Sequence, residues 1–252
     1  MNYLKQLAVL AGLAARECSM KSMRVYSPFC SARGSSFPLD MIVIHHIGSK
    51  DGKLYGISGT ITWFTDEKVH INKKTGKIEN KVSAHYILPR EPYEGCDVIK
   101  CVDDNDVAYH AGESQWSING ETRTNINNYS IGIELEGDGN IVAYTDYQYE
   151  NLINLIKDLT SKHSIPEQNI VGHEEVAPGR KVDPGKLFDW KHLRKRLSSD
   201  SFPETFCDEP PKTVPDDEFF MGGGDNTEES NNGLFGGFFT MFSPMLLKIF
   251  KR

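Results

Sequence analysis

An α/β domain with a mixed central β-sheet flanked by helices is predicted by three observations. Residues 41–46 (MIVIHH) form a β-branched, apolar run that ends in two histidines, which reads as a buried strand emerging at a surface. Residues 130–136 (SIGIELE) alternate with period two, so Ile131, Ile133 and Leu135 go to one face and Gly132, Glu134 and Glu136 to the other. Residues 146–162 carry Tyr149, Leu152, Ile153, Ile156 and Leu159 at helical spacing, behind a Thr145…Gln148 capping box. Strands interleaved with helices, some joined by hairpins, give a single mixed-sheet domain.

The remaining elements follow in order. Residues 57–64 read as a short helix and 73–81 as a polar, lysine-rich loop. Residues 83–88 read as a strand, 89–95 carry turn chemistry, and 97–102 return as the hairpin partner. Ile170 and Val171 form a short strand that delivers Gly172 and His173 to a loop, and 190–197 resemble a closing helix. The domain is expected over residues 38–199, after an N-terminal extension at 1–37.

The two ends differ in character. In the extension, an apolar run from Leu7 to Ala15 has signal-peptide length, but Arg16 and Glu17 follow at once. A cleaved signal and a short amphipathic surface helix both stay open. Residues 200–232 hold ten acids against one lysine, punctuated by Pro203, Pro210, Pro211, Pro215 and three successive glycines, which is the composition of a disordered acidic linker. Residues 233–252 form a short apolar tail closing on Lys248, Lys251 and Arg252. Pro244 and Gly236-Gly237 argue against a spanning helix, and a small interfacial helix in peripheral membrane contact is the alternative to a tail folded on protein.

Composition limits the function classes. Aromatic and apolar content suffices for a packed core. The formal net charge of -7 argues against a protein built to neutralise phosphates, so no nucleic-acid partner is expected. Most of that acidity sits in the linker, which leaves the domain nearly neutral. The five cysteines are scattered without a C-x-x-C pair, so free thiols are expected rather than a disulfide framework or a thiolate zinc finger. Cell envelope and cytoplasm both remain open, because the signal-like start and the free thiols point in opposite directions.

Eight histidines are the candidates for chemistry. A metal-dependent hydrolase needs nitrogen and oxygen ligands, a carboxylate off the metal to take a proton from water, and a cation for the developing oxyanion. No H-E-x-x-H helix is present. Taken alone, His45 or His46 at a strand end reads as a structural residue and His173 as a surface one.

Four segments in order change that reading: Ile42-Val43-Ile44-His45-His46; Val82-Ser83-Ala84-His85-Tyr86; Tyr109-His110-Ala111-Gly112 with residues 130–137; and residues 172–185 (GHEEVAPGRKVDPG). Together they resemble the type 2 N-acetylmuramoyl-L-alanine amidases, the zinc amidase superfamily that includes phage endolysins and peptidoglycan recognition proteins. The resemblance covers residues 40–197 and neither tail. It implies that His45, His173 and Asp183 hold Zn2+, with His46 taking the ligand role only if the strand register were flipped. It implies that Glu134 takes a proton from the attacking water and passes it to the leaving amine, and that Lys181 steadies the oxyanion. His110, Trp63, Trp116 and Asn127 fall where substrate would bind. His70, His163 and His192 remain as surface residues.

The reaction implied is hydrolysis of the amide between N-acetylmuramic acid and L-alanine in peptidoglycan or muropeptides, by a monomer. A recognition protein that binds peptidoglycan without turnover is the rival reading, and every expected catalytic position being filled argues against it. Intact wall and anhydro-muropeptide fragments both remain open as substrates.

Overall fold

The computed structural model describes residues 20–118 and 120–198. The expectations for the signal-like run, the acidic linker and the apolar tail lie outside the described residues. Strands β1 (Ser22–Arg24), β2 (Cys30–Ala32), β3 (Met41–His46), β4 (Ser49–Lys50) and β5 (Lys53–Leu54) come first, followed by helix α1 (Ile57–Thr65). Then come β6 (Tyr86–Leu88), β7 (Val98–Lys100), β8 (Asp106–Ala108), β9 (Gln115–Ile118), β10 (Glu121–Thr124) and β11 (Ser130–Leu135). Helix α2 (Asp146–His163), β12 (Ile170–Gly172), and helices α3 (His173–Val176) and α4 (Trp190–Leu197) complete the domain.

The main sheet has six strands in the order β1-β7-β6-β11-β3-β12. Only β6 and β7 pair antiparallel within it, so the sheet is mixed, as the sequence predicts. The two-residue hairpin turn between Tyr93 and Cys96 uses Glu94 and Gly95 at φ of 51° and 76°, the twist that hairpin strands favour.

Period-two alternation in β3 and β11 sorts their side chains onto two faces. Ile42, Ile44, Ile131, Ile133 and Leu135 pack beneath α2, whose Leu152, Ile156 and Leu159 are fully buried. The predicted capping box is present: Thr145 Oγ1 accepts from Gln148 N at 3.1 Å, and Gln148 Oε1 accepts from Thr145 N at 3.2 Å. On the opposite face, Ile57 and Phe64 of α1 cover Ile87 and Ile99, while Val43 and Val171 pack with Ile126 and Val176. This second face carries the polar positions of β3 and β11.

Several expectations shift in detail. The sheet begins at Ser22, ahead of the boundary expected at residue 38, because β1 is short and polar and leaves no periodic signal. The strand expected over 83–88 is limited to β6. Ser83 bonds outside the sheet, its N donating to Tyr109 O and its Oγ to Phe29 O at 2.6 Å. His173 opens helix α3 instead of a loop, since Glu175 Oε2 accepts from Gly172 N at 2.7 Å and caps the turn. His70 is buried between Phe29 and Trp63, where Trp63 O accepts from its ring at 2.6 Å. His163 and His192 are half-buried, bonded to Asp104 and packed on Tyr149 respectively. Cys30, Cys96 and Cys101 are free thiols, in line with expectation.

Candidate active site

Strands β11, β3 and β12 run parallel, so their carboxyl ends open at one edge of the sheet, where α/β proteins commonly place their chemistry. The β11–β3 register sets Glu134 beside His45 on one face. One strand over, Gly172 pairs with Ile44, and His173 follows it at the start of α3. Asp183 arrives on the loop after α3. Its carbonyl accepts from Glu174 N at 2.9 Å, and Tyr144 OH donates to Pro184 O at 2.7 Å. Gly139 lies so close to Pro184 O that a Cβ there would sit 2.0 Å from it, so this anchoring contact excludes any side chain at 139.

Three ligand-type atoms converge. His45 Nδ1 and His173 Nδ1 are 2.9 Å apart, and Asp183 Oδ2 lies 3.1 Å from the first and 2.9 Å from the second. All three residues are buried, and together they form the His/His/Asp group able to hold a metal ion. A tetrahedral zinc with ligands at about 2.0–2.1 Å separates its donor atoms by roughly 3.3 Å, so this triangle needs only slight widening to accept one. The donor set, two imidazoles and a carboxylate, is the borderline chemistry that zinc favours. His46 points the other way, its Nδ1 accepting from Gly139 N at 3.1 Å, which matches the unflipped register.

Burial and charge tune the cluster. Burial and the neighbouring His173 push His45 down to about 3, against the opposing pull of Asp183. Burial alone would raise Asp183, but its bonds to His173 and His45 hold it well below the usual carboxylate range. Glu134 behaves in the opposite way. Its Oε2 is enclosed and has no hydrogen-bond partner among the described residues, and burial plus the nearby Asp183 raise it to about 8 despite Lys181. Lys181 is half-buried, and its charge reaches both His45 and Glu134.

The other predicted site residues divide. His110 is buried directly behind His45, its Nδ1 2.9 Å from His45 Nε2. Asn127 faces the backbone of the same segment, its Oδ1 accepting from His110 N at 3.1 Å and Ala111 N at 2.7 Å. Trp116, half-buried on β9, packs with Ala111 and Val176 at the flank of α3. Trp63, itself in α1, is half-buried against the cluster of Phe64 and Ile87. Sequence reasoning missed Arg180 and Arg33. Arg180 Nη2 donates to Ala111 O at 2.6 Å, tying the His110 segment to the Asp183 loop, while Arg33 Nη2 donates to Ser130 O at 3.1 Å. Arginines that bind backbone carbonyls carry no spacing signature; Arg180, adjoining Lys181 within the 172–185 segment, offered the one hint.

A buried nitrogen–oxygen triad at the end of a mixed sheet, with an acid alongside that holds one oxygen enclosed and unpartnered, is the equipment of a metal-assisted hydrolase. The family model described as N-acetylmuramoyl-L-alanine amidase matches residues 35–186, and the chain belongs to this family. It is 32% identical over 186 residues to the 1,6-anhydro-N-acetylmuramyl-L-alanine amidase AmpD of Citrobacter freundii, covering 73% of this chain and 94% of that one. It is 38% identical over 129 residues to the N-acetylmuramoyl-L-alanine amidase AmiD of Escherichia coli, covering 47% and 45%. Among solved structures, a selenomethionine AmpD derivative superimposes with a TM-score of 0.57 at 33% identity, over 71% of this chain and 95% of that one.

Proposed function

We propose that this chain hydrolyses the amide between the lactyl group of N-acetylmuramic acid and L-alanine in peptidoglycan or its muropeptide fragments, with zinc held by His45, His173 and Asp183. Zinc at that position supplies a Lewis acid that polarises the scissile carbonyl and acidifies water. Glu134 is poised for the proton work. Its enclosed Oε2 has no competing partner, so it can take a proton from the attacking water and return it to the departing amine. Lys181 places a cation where negative charge grows on the carbonyl oxygen, a contact that strengthens toward the transition state. The observation that carries this reading is the pairing of Glu134 with His45 on adjacent strands, beside a closed His/His/Asp triangle.

The relatives' names favour anhydro-muropeptide as the substrate form, since several are 1,6-anhydro-N-acetylmuramyl-L-alanine amidases. Incubation with purified anhydro-muropeptide tests this. Release of a stem peptide beginning with L-alanine, abolished by EDTA and restored by zinc, is the expected result. A cut inside the stem, or binding without product, sinks the assignment. His173→Ala should lose bound zinc and turnover together. Residues 233–252 add a proposed peripheral membrane contact, supported by their apolar run and terminal cations. Equal sedimentation with anionic vesicles after their deletion removes that part.

A further inference from the structure

We propose that His110 and Asn127 are positioning residues that hold both imidazoles of the His45–His173–Asp183 centre with the proton on Nε2 and the lone pair on Nδ1, ready for a divalent cation. The inference rests on the metal-centre reading above and adds what orients the ligands.

Groups that can only accept fix the direction of every bond. Ala111 O lies 3.0 Å from His173 Nε2, and a carbonyl has no proton to give, so His173 donates from Nε2. The His45 side is one step longer. Ile126 O takes the single hydroxyl proton of Ser130 at 2.7 Å, which leaves Ser130 Oγ to accept from His110 Nε2 at 3.2 Å. His110 then offers Nδ1 as acceptor, and His45 Nε2, 2.9 Å away, donates to it. Both chains begin at backbone carbonyls and leave the two Nδ1 atoms facing Asp183, where their lone pairs would meet a bound cation.

One two-residue segment supplies both acceptors, the side chain of His110 and the carbonyl of Ala111. Asn127 Oδ1 holds that segment by both of its N–H groups. The seat for the His110 ring requires glycine in β11, since a Cβ on Gly132 would lie 2.4 Å from His110 Cγ. Beneath His45, with ring centroids 5.0 Å apart, His110 acts through its neighbour. Outer partners of this kind are worth about 10–100-fold in metal affinity.

Zinc affinity of the full-length chain, measured by chelator competition without substrate, tests the proposal. His110→Leu removes the acceptor and should weaken zinc by about 10-fold or more, whereas His110→Asn keeps an acceptor at the Nδ1 position and should stay within about 3-fold of wild type. Unchanged affinity in His110→Leu overturns the support, and so does equal weakening of the two variants, which would mark a packing effect. Nitrogen-15 spectra of the zinc-loaded wild type provide a reading independent of any variant. Nε2–H tautomers with Nδ1 toward the cation are expected at both His45 and His173, and an Nδ1–H tautomer at either overturns the proposal. A wild type that fails to bind zinc at all instead overturns the metal centre itself.

Discussion

Glu134 and Asp104 are both acids withdrawn from water, yet they sit at opposite ends of what burial can do. Asp104 is 3% exposed and saturated with donors: Tyr86 OH at 2.5 Å, Lys100 Nζ at 3.0 Å, Lys162 Nζ at 2.8 Å and His163 Nε2 at 3.1 Å. Burial alone would raise it, but these partners hold it far below the usual carboxylate range. Glu134 has an enclosed oxygen with no partner and is raised to about 8. Low dielectric strengthens a satisfied network and penalises an unsatisfied one. Asp104 is locked in one protonation state and staples the end of α2 to the sheet. Glu134 is free to change state, which is what a proton shuttle requires.

The sharpest way to break that contrast is to remove each acid and ask what is lost. Glu134→Ala should lower kcat/KM on muropeptide by about 10²–10⁴-fold while zinc content stays at wild-type level. Full activity in that variant means the assigned base is wrong. Asp104→Ala should do the reverse. It strips the buried Lys100 of its inner partner and should cost about 3–5 kcal/mol in unfolding free energy, with kcat/KM near wild type at temperatures where the protein is folded. Loss of turnover without loss of stability would erase the distinction between the two acids.

Acid denaturation extends the second test. A carboxyl lowered on folding contributes stability that is present above its unfolded pKa of about 4 and lost as pH falls below it, so Asp104→Asn should flatten the wild-type decline at low pH.

Glu134 carries the opposite sign in the metal-free chain. Its folded value, about 8, exceeds the ordinary 4.5, so the folded state binds more protons between those limits and stability falls as pH rises through them. Glu134→Gln cannot titrate. Its stability advantage over wild type should therefore grow from pH 5 to pH 8, at up to about 1.4 kcal/mol per pH unit. Melting curves of both metal-free proteins at the two pH values measure the difference. An advantage that shrinks with pH contradicts the raised value.

The sequence makes one of these acids far easier to find than the other. Glu134 lies in a clean alternating strand within a family-like motif, and its neighbours in space are its neighbours across the sheet. Asp104 lies in Val102-Asp103-Asp104-Asn105-Asp106, which reads as a solvated turn. Its partners come from β6, β7 and α2, and no local period records them. The same limit hid β1, whose Ser22, Met23 and Arg24 carry no apolar pattern. It also hid the part played by Asn127, whose bonds go to backbone groups that any residue supplies. Long apolar strands, caps and the helix were legible because their signals are local; the supports of the site were not, because they exist only once loops from 110, 127 and 180 meet.

The smallest effect sharpens the comparison from within the Asp104 network. Lys100 and Lys162 both reach the same carboxylate, but their side chains are 7% and 53% exposed. An exposed ammonium gains little, since water screens the charge and holding a long side chain in place costs entropy. Lys162→Met should therefore cost less than about 1 kcal/mol, with most of that lost in wild type as salt is raised. Lys100→Met leaves Asp104 buried with fewer donors and should cost several-fold more. Urea unfolding of the two variants side by side decides between saturation from inside the core and attraction at its rim. Equal losses would mean that number of partners, rather than their burial, holds the acid in its charged state.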